Sequence, residues 1–473
     1  MQRRIALIGL FFLLAFQTFW HFNLLFLVQG NIRLATRMVS EGERLYRDFY
    51  LHYPGLVSWV VSVVQRVFPN DLDAFRIVYL VSTLGTTVLL FWFCRWWFKS
   101  WGAAVFAATL FSLWIFFWGK NMFWYHTPIL LLSTTSFFLL AKIFNSPGPV
   151  TASPAFLFSS GFLLGIAFLC KQPAAFFVAA FGLVLLGRKI PFSKKILDGI
   201  FFALGVSMPI IFFGLYYYMI GDFWAMWDDV VVQGFNTGRS QGFFEASWLD
   251  IPPPRILVQF ILYYYLFKFF GLRKNISPRQ KNIYWLVLAG GLAGTLFVYP
   301  RVWPQYTQFA LPFLVIMAVW VMKRSWSAKT AFTFAIVSFM TLAPMLSNFF
   351  PLFRQTDPRE RTLRPVVAWI QTHTSPDEKI FVCCTAPEVY IDGRRKPASR
   401  YSEYNPPMLV SVPLEDRIIA DLERTKPRIV VELSDSYWER LNVMYMKKVL
   451  DYIHAKYRLI EEVQTGQQIY ERR

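Results

Sequence analysis

Charge is what this chain has least of: 16% of its 473 residues are Asp, Glu, Lys or Arg, where an ordinary soluble domain carries about 25%. Set against 55% hydrophobic residues, 50 Phe and 18 Trp, that shortage excludes a soluble globule. One core cannot bury so many rings, whereas a bilayer solvates them and holds Trp and Tyr at its two interfaces. Cysteine is scarce as well. Cys94, Cys170, Cys383 and Cys384 are too few for a disulfide scaffold and have no metal-ligand spacing. No small-residue cleavage site follows the basic start at Arg3 and Arg4 and the apolar run to Val28, so this segment reads as an uncleaved first span. Internal repeats and low-complexity tracts are absent, and the span interiors are nearly free of charge, which counts against a transporter or flippase.

Basic residues are present, in a telling place. Of the net +19, residues 1–350 hold +17 (28 basic, 11 acidic) and residues 351–473 hold +2. The tail thus has the composition of a water-soluble domain without the basic stripe of a nucleic-acid binder. The excess charge belongs to the membrane part, next to anionic lipid.

Eleven apolar segments are long enough, or nearly so, to cross a hydrocarbon core that takes about 20 helical residues. They start near Ile5, Ala74, Gly102, His126, Pro154, Pro173, Ile196, Ile256, Ile283, Tyr306 and Ala328. The pair around Cys170 is short, broken by Lys171, Gln172 and Pro173, and reads as a tight hairpin or one kinked element. With the N-terminus inside, 17 of the 28 basic residues fall in inner loops, as the positive-inside rule requires. An odd number of spans then puts the tail outside the cytoplasm. Of the 11 acids in residues 1–350, all but Asp198 fall in two outer loops, 29–73 and 219–255, so chemistry belongs on the outer face. Residues 55–68 are too few to span and are expected in the interface plane. The expected architecture is a transmembrane domain over 1–350, and over 351–473 an extracytoplasmic α/β domain. Its helices are expected at 364–373, 414–424 and 437–457, and its strands at 379–383, 428–433 and near Leu459 and Gln468.

The richest stretch is Gly42-Glu-Arg-Leu-Tyr-Arg-Asp-Phe-Tyr-Leu-His-Tyr-Pro-Gly55. It packs Arg44, Arg47, Asp48, His52 and Tyr53 against the membrane surface, where cations can bind a phosphate and a carboxylate can take a proton from a hydroxyl. The plain alternative is that the arginines touch lipid headgroups and Asp48 pairs with one of them. His126, in Trp124-Tyr-His-Thr-Pro128, reads either as a sugar or phosphate ligand or as a structural histidine among aromatics. Asp228 and Asp229 read as a solvated helix start, or as a pair that holds a metal or an acceptor amine. Cys383 and Cys384 end a buried strand and need no function. The sequon Asn275-Ile-Ser277 lies on the inner side.

Residues 42–55 resemble the first outer loop of the C-type membrane glycosyltransferases, in the branch of aminoarabinose transferases and protein O-mannosyltransferases. Gly161-Phe-Leu-Leu-Gly-Ile-Ala-Phe-Leu-Cys-Lys-Gln172, Tyr299-Pro-Arg301 before Ala310-Leu-Pro312, Ala398-Ser-Arg-Tyr401 and Lys426-Pro-Arg-Ile-Val430 are similar to the same branch. The resemblance implies a polytopic α-helical fold with an outer α/β domain. It implies transfer of a sugar from a polyprenyl-phosphate donor to a hydroxyl of a lipid, glycan or protein acceptor. Lys171 with Gln172, and Arg301, become phosphate partners, against the alternative that the two cations snorkel to headgroups. A divalent cation stays open as cofactor, since some members use one and others none. One departure stands out. Members commonly carry a catalytic acid about a dozen residues before the counterpart of Gly42, where this chain has Val28 and Gln29. Asp48 is the expected replacement, ahead of Glu41, Glu43 or an acid of the second outer loop. The alternative is a noncatalytic assembly subunit of the same fold.

Overall fold

The computed structural model describes residues 1–23, 26–119, 122–145, 153–234, 264, 266–272, 276–296, 308–325, 358–383, 386–402, 414–433 and 446–473. Helices are numbered in chain order: α1 Gln2–Asn23, α2 Gly30–Ser40, α3 Leu56–Gln65, α4 Asp71–Phe98, α5 Trp101–Gly119, α6 Thr127–Asn145, α7 Pro154–Cys170, α8 Ala175–Leu186, α9 Phe192–Met219, α10 Phe223–Trp227, α11 Pro278–Leu296 and α12 Leu311–Ser325. Nine of the eleven expected spans coincide with α1, α4 to α9, α11 and α12. The segment from Ile256 lies mostly, and that from Ala328 wholly, outside the described residues. Among the described residues, α1, α4, α6 and α9 are long and apolar enough to cross a membrane. The protein is a multi-pass membrane protein.

The chain divides into two compact units. The first, Met1–Leu27, Phe75–Gly214 and Ala246–Gln355, shows why an all-round apolar sequence is needed. From Gln308 to Val321 every residue of α12 and its approach is buried, as expected of a helix with no polar face. By contrast α1 exposes Ile5, Ile8, Phe11, Phe12, Phe16, Phe19 and Phe22, far more apolar surface than water tolerates and the kind that meets lipid tails. Polar residues inside the unit bond between or along helices: Thr87 donates to Gln17 at 3.2 Å, and the Ser136 and Ser160 hydroxyls meet at 2.7 Å. Arg188 and Asp198, both buried, pair at 2.8 Å.

Glycine sets one seam in this unit. A Cβ at Gly161 would overlap the Phe202 carbonyl oxygen, one at Gly165 the Val206 carbonyl oxygen, and one at Gly205 the Phe158 carbonyl oxygen. The small-xxx-small spacing of Gly161 and Gly165 thus lets the backbones of α7 and α9 touch, the packing that helices use where no hydrophobic effect drives them together. Gly161→Leu is expected to insert normally yet lose the native fold, seen as loss of the monodisperse peak in detergent.

The second unit is Val28–Ala74, Leu215–Glu245 and Thr356–Arg473, so both acidic loop regions cluster with the tail. Its tail continues the numbering with α13 Pro358–His373, strand β1 Lys379–Cys383, α14 Pro387–Gly393, β2 Lys396–Pro397, α15 Leu414–Thr425, β3 Ile429–Leu433, α16 Lys447–Lys456, β4 Tyr457–Gln464 and β5 Gln467–Arg472. The sheet order is β2-β1-β3-β5-β4, parallel over the first three strands and antiparallel at β5 and β4. Buried Phe381, Val382, Val430 and Val431 give the central strands the near-continuous apolar runs of a sheet covered on both faces. The expected strand 379–383 matches to the residue. The expected helix 437–457 is described only as α16, because 437–445 lie outside the described residues.

Two elements were not foreseen. The expected loop at 30–40 is helix α2, which buries Ile32, Leu34, Ala35 and Met38. It ends in a Schellman motif: Gly42 takes φ +88°, its N–H bonds to Val39 O at 3.1 Å, and the Glu43 N–H bonds to Met38 O at 2.9 Å. Only glycine adopts that turn without strain. The second is α14, short but almost wholly buried. Helix α3 is found where a non-spanning segment was expected, with Val60 and Val63 on it and Val67 and Phe68 just past its end exposed.

Candidate functional site

The loop 42–55 is built around a strained tyrosine. Tyr46 is fully buried at φ +72°, a conformation that disfavours any residue with a Cβ and persists only where the surroundings over-determine it. Here they do. The Tyr46 hydroxyl accepts from the Gly55 N–H at 2.7 Å and donates to Tyr53 O at 3.0 Å, while its ring meets Tyr217 edge-on at 5.0 Å. The loop is thereby closed from both ends by one side chain.

Tyr50 anchors the other side of the loop. Its ring belongs to the tail's hydrophobic core with Phe381, Ala398, Tyr401 and Ile418, and its N–H bonds to Arg400 O at 2.8 Å. His52 stacks near it and lies 3.8 Å from the Tyr53 ring, centroid to centroid. Two motifs far apart in sequence, 42–55 and 398–401, are therefore one piece of structure. Asp421 of α15 fixes the second, accepting from Ser399 Oγ and the Arg400 N–H, both at 3.0 Å.

Asp229 corrects a sequence expectation. It is not a solvated helix start: it is fully buried, and Arg400 Nη2 donates to both its oxygens at 2.6 Å. The Leu51 N–H also bonds to it. Burial nonetheless outweighs these partners and pushes its carboxyl up to about 7, since desolvation of a charge can exceed its pairing energy. Burial, with Asp229 close by, also pushes the Tyr50 phenol far above its usual value, which keeps it a neutral hydroxyl. Asp228, the less buried of the two, pairs with Arg417 at 3.3 Å.

The remaining carboxylates differ in how tightly they are held. Glu41 is 2.6 Å from Arg37, Glu43 2.6 Å from Lys396, and Asp222 3.2 Å from Arg44. Asp48 is different. Its Oδ2 accepts from the Arg44 backbone N–H at 2.8 Å, which fixes the group, while Oδ1 faces exposed Arg47 at 3.8 Å. One oxygen is anchored and the other is loosely paired at the surface. Arg44 therefore reaches Asp222, and Arg47 is the cation beside Asp48.

Glu388 is the residue that sequence reasoning missed. It is buried on α14, and a Cβ placed on Gly30 at the start of α2 would collide with its Oε1 and with Pro387. A carboxylate from the tail thus occupies side-chain space two residues from Val28, where the resemblance implies an acid. Only the crowding at Gly30 could have signalled it.

In the first unit, Lys171 separates α7 from the 3-10 turn Gln172–Ala174 that opens α8, with extended backbone at φ −163°. Two helices with a break are present rather than one kinked element. Lys171 is only 6% exposed, so its ammonium does not extend to the lipid-facing surface as a snorkelling side chain would. His126 is fully buried, 5.7 Å from the parallel Trp124 ring and edge-on to Phe309, with Gln308 Nε2 donating to its Nε2 at 2.9 Å. Arg301 and Cys384 lie outside the described residues, while Cys383 is buried and not disulfide-bonded. Among the described residues no group of three or more His, Cys, Asp or Glu side chains is placed to hold a metal. Among the described carboxylates, Glu41, Glu43, Asp222, Asp228 and Asp229 are each paired with a guanidinium or ammonium group.

No family model matches the sequence, and no curated protein matches it either. Solved structures do match. The aminoarabinose transferase ArnT from Cupriavidus metallidurans bound to undecaprenyl phosphate aligns with a TM-score of 0.57 at 13% identity, covering 99% of this chain and 97% of that one. The apo oligosaccharyltransferase from Archaeoglobus fulgidus aligns with a TM-score of 0.59 at 11% identity, covering 100% of this chain and 74% of that one. The same archaeal enzyme, AglB, in complex with an inhibitory peptide and a dolichol-phosphate aligns at 0.53 and 10% identity, over 93% and 70%. The chain has the fold of these C-type membrane glycosyltransferases.

Proposed function

We propose that this chain, with its C-type glycosyltransferase fold, transfers a sugar from a polyprenyl-phosphate donor to an acceptor hydroxyl on the extracytoplasmic side of the membrane. The observation that carries the reading is the anchored, loosely paired carboxylate of Asp48 on a loop closed by Tyr46. In the step, the acceptor oxygen attacks the anomeric carbon and its proton passes to Asp48 Oδ1. The bond from that carbon to the phosphate oxygen breaks, and the polyprenyl phosphate leaves as an anion. Inversion at the anomeric carbon follows, because nucleophile and leaving group lie on opposite faces. Lys171 and Arg301 serve the phosphate, where a preplaced cation stabilises the charge that develops on the leaving oxygen. Arg47, His52 and Tyr53 line the loop on the sugar side. The acceptor is a hydroxyl-bearing lipid, glycan or protein.

The reaction is tested with the full chain reconstituted in nanodiscs and a panel of polyprenyl-phosphate hexoses and pentoses, reading acceptor-dependent release of polyprenyl phosphate. Release supports the reading. Donor binding without release for any sugar or acceptor would instead mark a noncatalytic subunit. Lys171→Ala is expected to weaken donor binding about ten-fold, the loss of one charged hydrogen bond, with kcat at saturating donor less affected. Equal donor affinity would remove Lys171 from the phosphate site.

A second assignment of the base is favoured by the position of Glu388 against Gly30. Glu388→Gln tests it in the same assay. If that variant, rather than Asp48→Asn, abolishes release with donor binding intact, the base is Glu388 and Asp48 is a structural cap of its turn.

A further inference from the structure

A cavity of about 1070 Å³ lies within the second unit, away from loop 42–55, with walls from α2, the end of α3, the segment before α4, α13 and α14. That volume admits a ligand rather than a few waters. Five arginines, at 33, 37, 66, 394 and 395, line it against two acids, Asp71 and Asp392.

The arginines are not equivalent. Arg33 is shared by Asp71 at 3.1 Å and Asp392 at 3.5 Å, so one guanidinium serves both acids of the wall. Arg395 is buried and satisfied by the carbonyls of Gly393 and Thr374 and by the Thr374 hydroxyl. Arg37 bonds to Glu41 and to the carbonyls of Tyr390 and Ile391. Arg66 and Arg394 are exposed and make no ion pair among the described residues.

Arg394 bears a conformational cost as well. It caps α14 in the left-handed region at φ 53°, ψ 44°, a position where glycine is the default and a long side chain is strained. A cap alone calls for glycine, and the guanidinium is what arginine adds. Arg66 sits at the end of α3, beside exposed Val63, Val67 and Phe68. The end of α3 thus carries exposed apolar side chains of the kind that meet lipid next to Arg66, while the cavity lining itself holds more cations than anions.

We propose that this cavity binds the phosphate-bearing head of an anionic amphiphile, with Arg66 and Arg394 as the phosphate ligands and the apolar end of α3 against its chain. The site is independent of the transfer reaction and can exist whether or not sugar transfer is found. The test titrates lysophosphatidylglycerol, lysophosphatidylcholine and glycerol 3-phosphate separately into the detergent-solubilised full chain by calorimetry. Wild type is expected to bind lysophosphatidylglycerol saturably, and the other two at least ten-fold more weakly. Loss of each arginine contact lowers affinity about ten-fold, so the Arg66→Gln, Arg394→Gly double variant should fall about a hundred-fold. Arg394→Gly relieves the left-handed strain, so its thermal midpoint should match or exceed wild type, which separates lost binding from lost fold. Unchanged affinity for lysophosphatidylglycerol in the folded double variant overturns the site. Glycerol 3-phosphate binding as tightly as the lysolipid overturns the amphiphile and makes the ligand a soluble phosphate ester.

Discussion

Asp48→Asn is expected to lower acceptor-dependent release of polyprenyl phosphate by about 10²- to 10⁴-fold, the usual contribution of a general base, with donor affinity within a factor of a few. The amide keeps an oxygen that can accept the Arg44 N–H, the bond that holds Asp48 at 2.8 Å, so the turn persists while the proton acceptor is lost. Initial rates at saturating donor, alongside a donor-binding isotherm, separate the two effects. A fall in binding and thermal midpoint together would mean that the side chain only supports the loop. Near wild-type release in both Asp48→Asn and Glu388→Gln would leave no base among the two carboxylates placed for the role. The mechanism would then have to be abandoned.

The second large effect is on stability. The Asp229 carboxyl is pushed up to about 7 by burial, against an ordinary value of 3.8. The folded state therefore binds a proton that the unfolded chain has already released, and stability must fall as pH rises from about 4 to about 7 and level off above. A proton held about a thousand-fold more tightly in the folded state is worth about 4 kcal/mol. Other groups titrate in the same range, so the quantity to follow is the difference between wild type and Asp229→Asn in midpoint denaturation at each pH. That difference should decline across the window and then stay flat. A flat difference throughout would mean that Arg400 fully offsets the burial of the charge.

Most of the tail's secondary structure could be read from the chain, because alternating elements with clear apolar periods mark their own ends. Strand 379–383 is one case, and Leu414–Thr425, with a single apolar stripe of Leu414, Ile418 and Leu422, is another. Helix α2 was hidden by its company. Asn31, Arg33, Thr36 and Arg37 interrupt it, and only Gly42 with its Schellman geometry announces its end. Residues 42–55 were legible as a site, since such a density of Arg, Asp, His and Tyr is rare in an apolar chain. What holds them was not, because Tyr50 enters a core whose other members lie more than 300 residues on. Asp229 looked solvated beside Asp228 because local sequence carries no sign of Arg400, and Glu388 looked like one more acid in a charged tail. Long-range pairing decides both, and a linear pattern does not contain it.

The glycine seam between α7 and α9 has a bearing on how the protein is made. The two helices that touch are separated in the chain by α8, so α7 emerges before the partner that fits it has been synthesised. Until Phe202 and Val206 arrive, the groove at Gly161 and Gly165 is open to lipid or to any other small-residue helix in the translocation channel. The segment that waits also carries Lys171 at its end. A chaperone or the translocon itself that shields this groove would set the yield of correctly assembled protein, and slowing synthesis after residue 190 would lengthen the vulnerable interval.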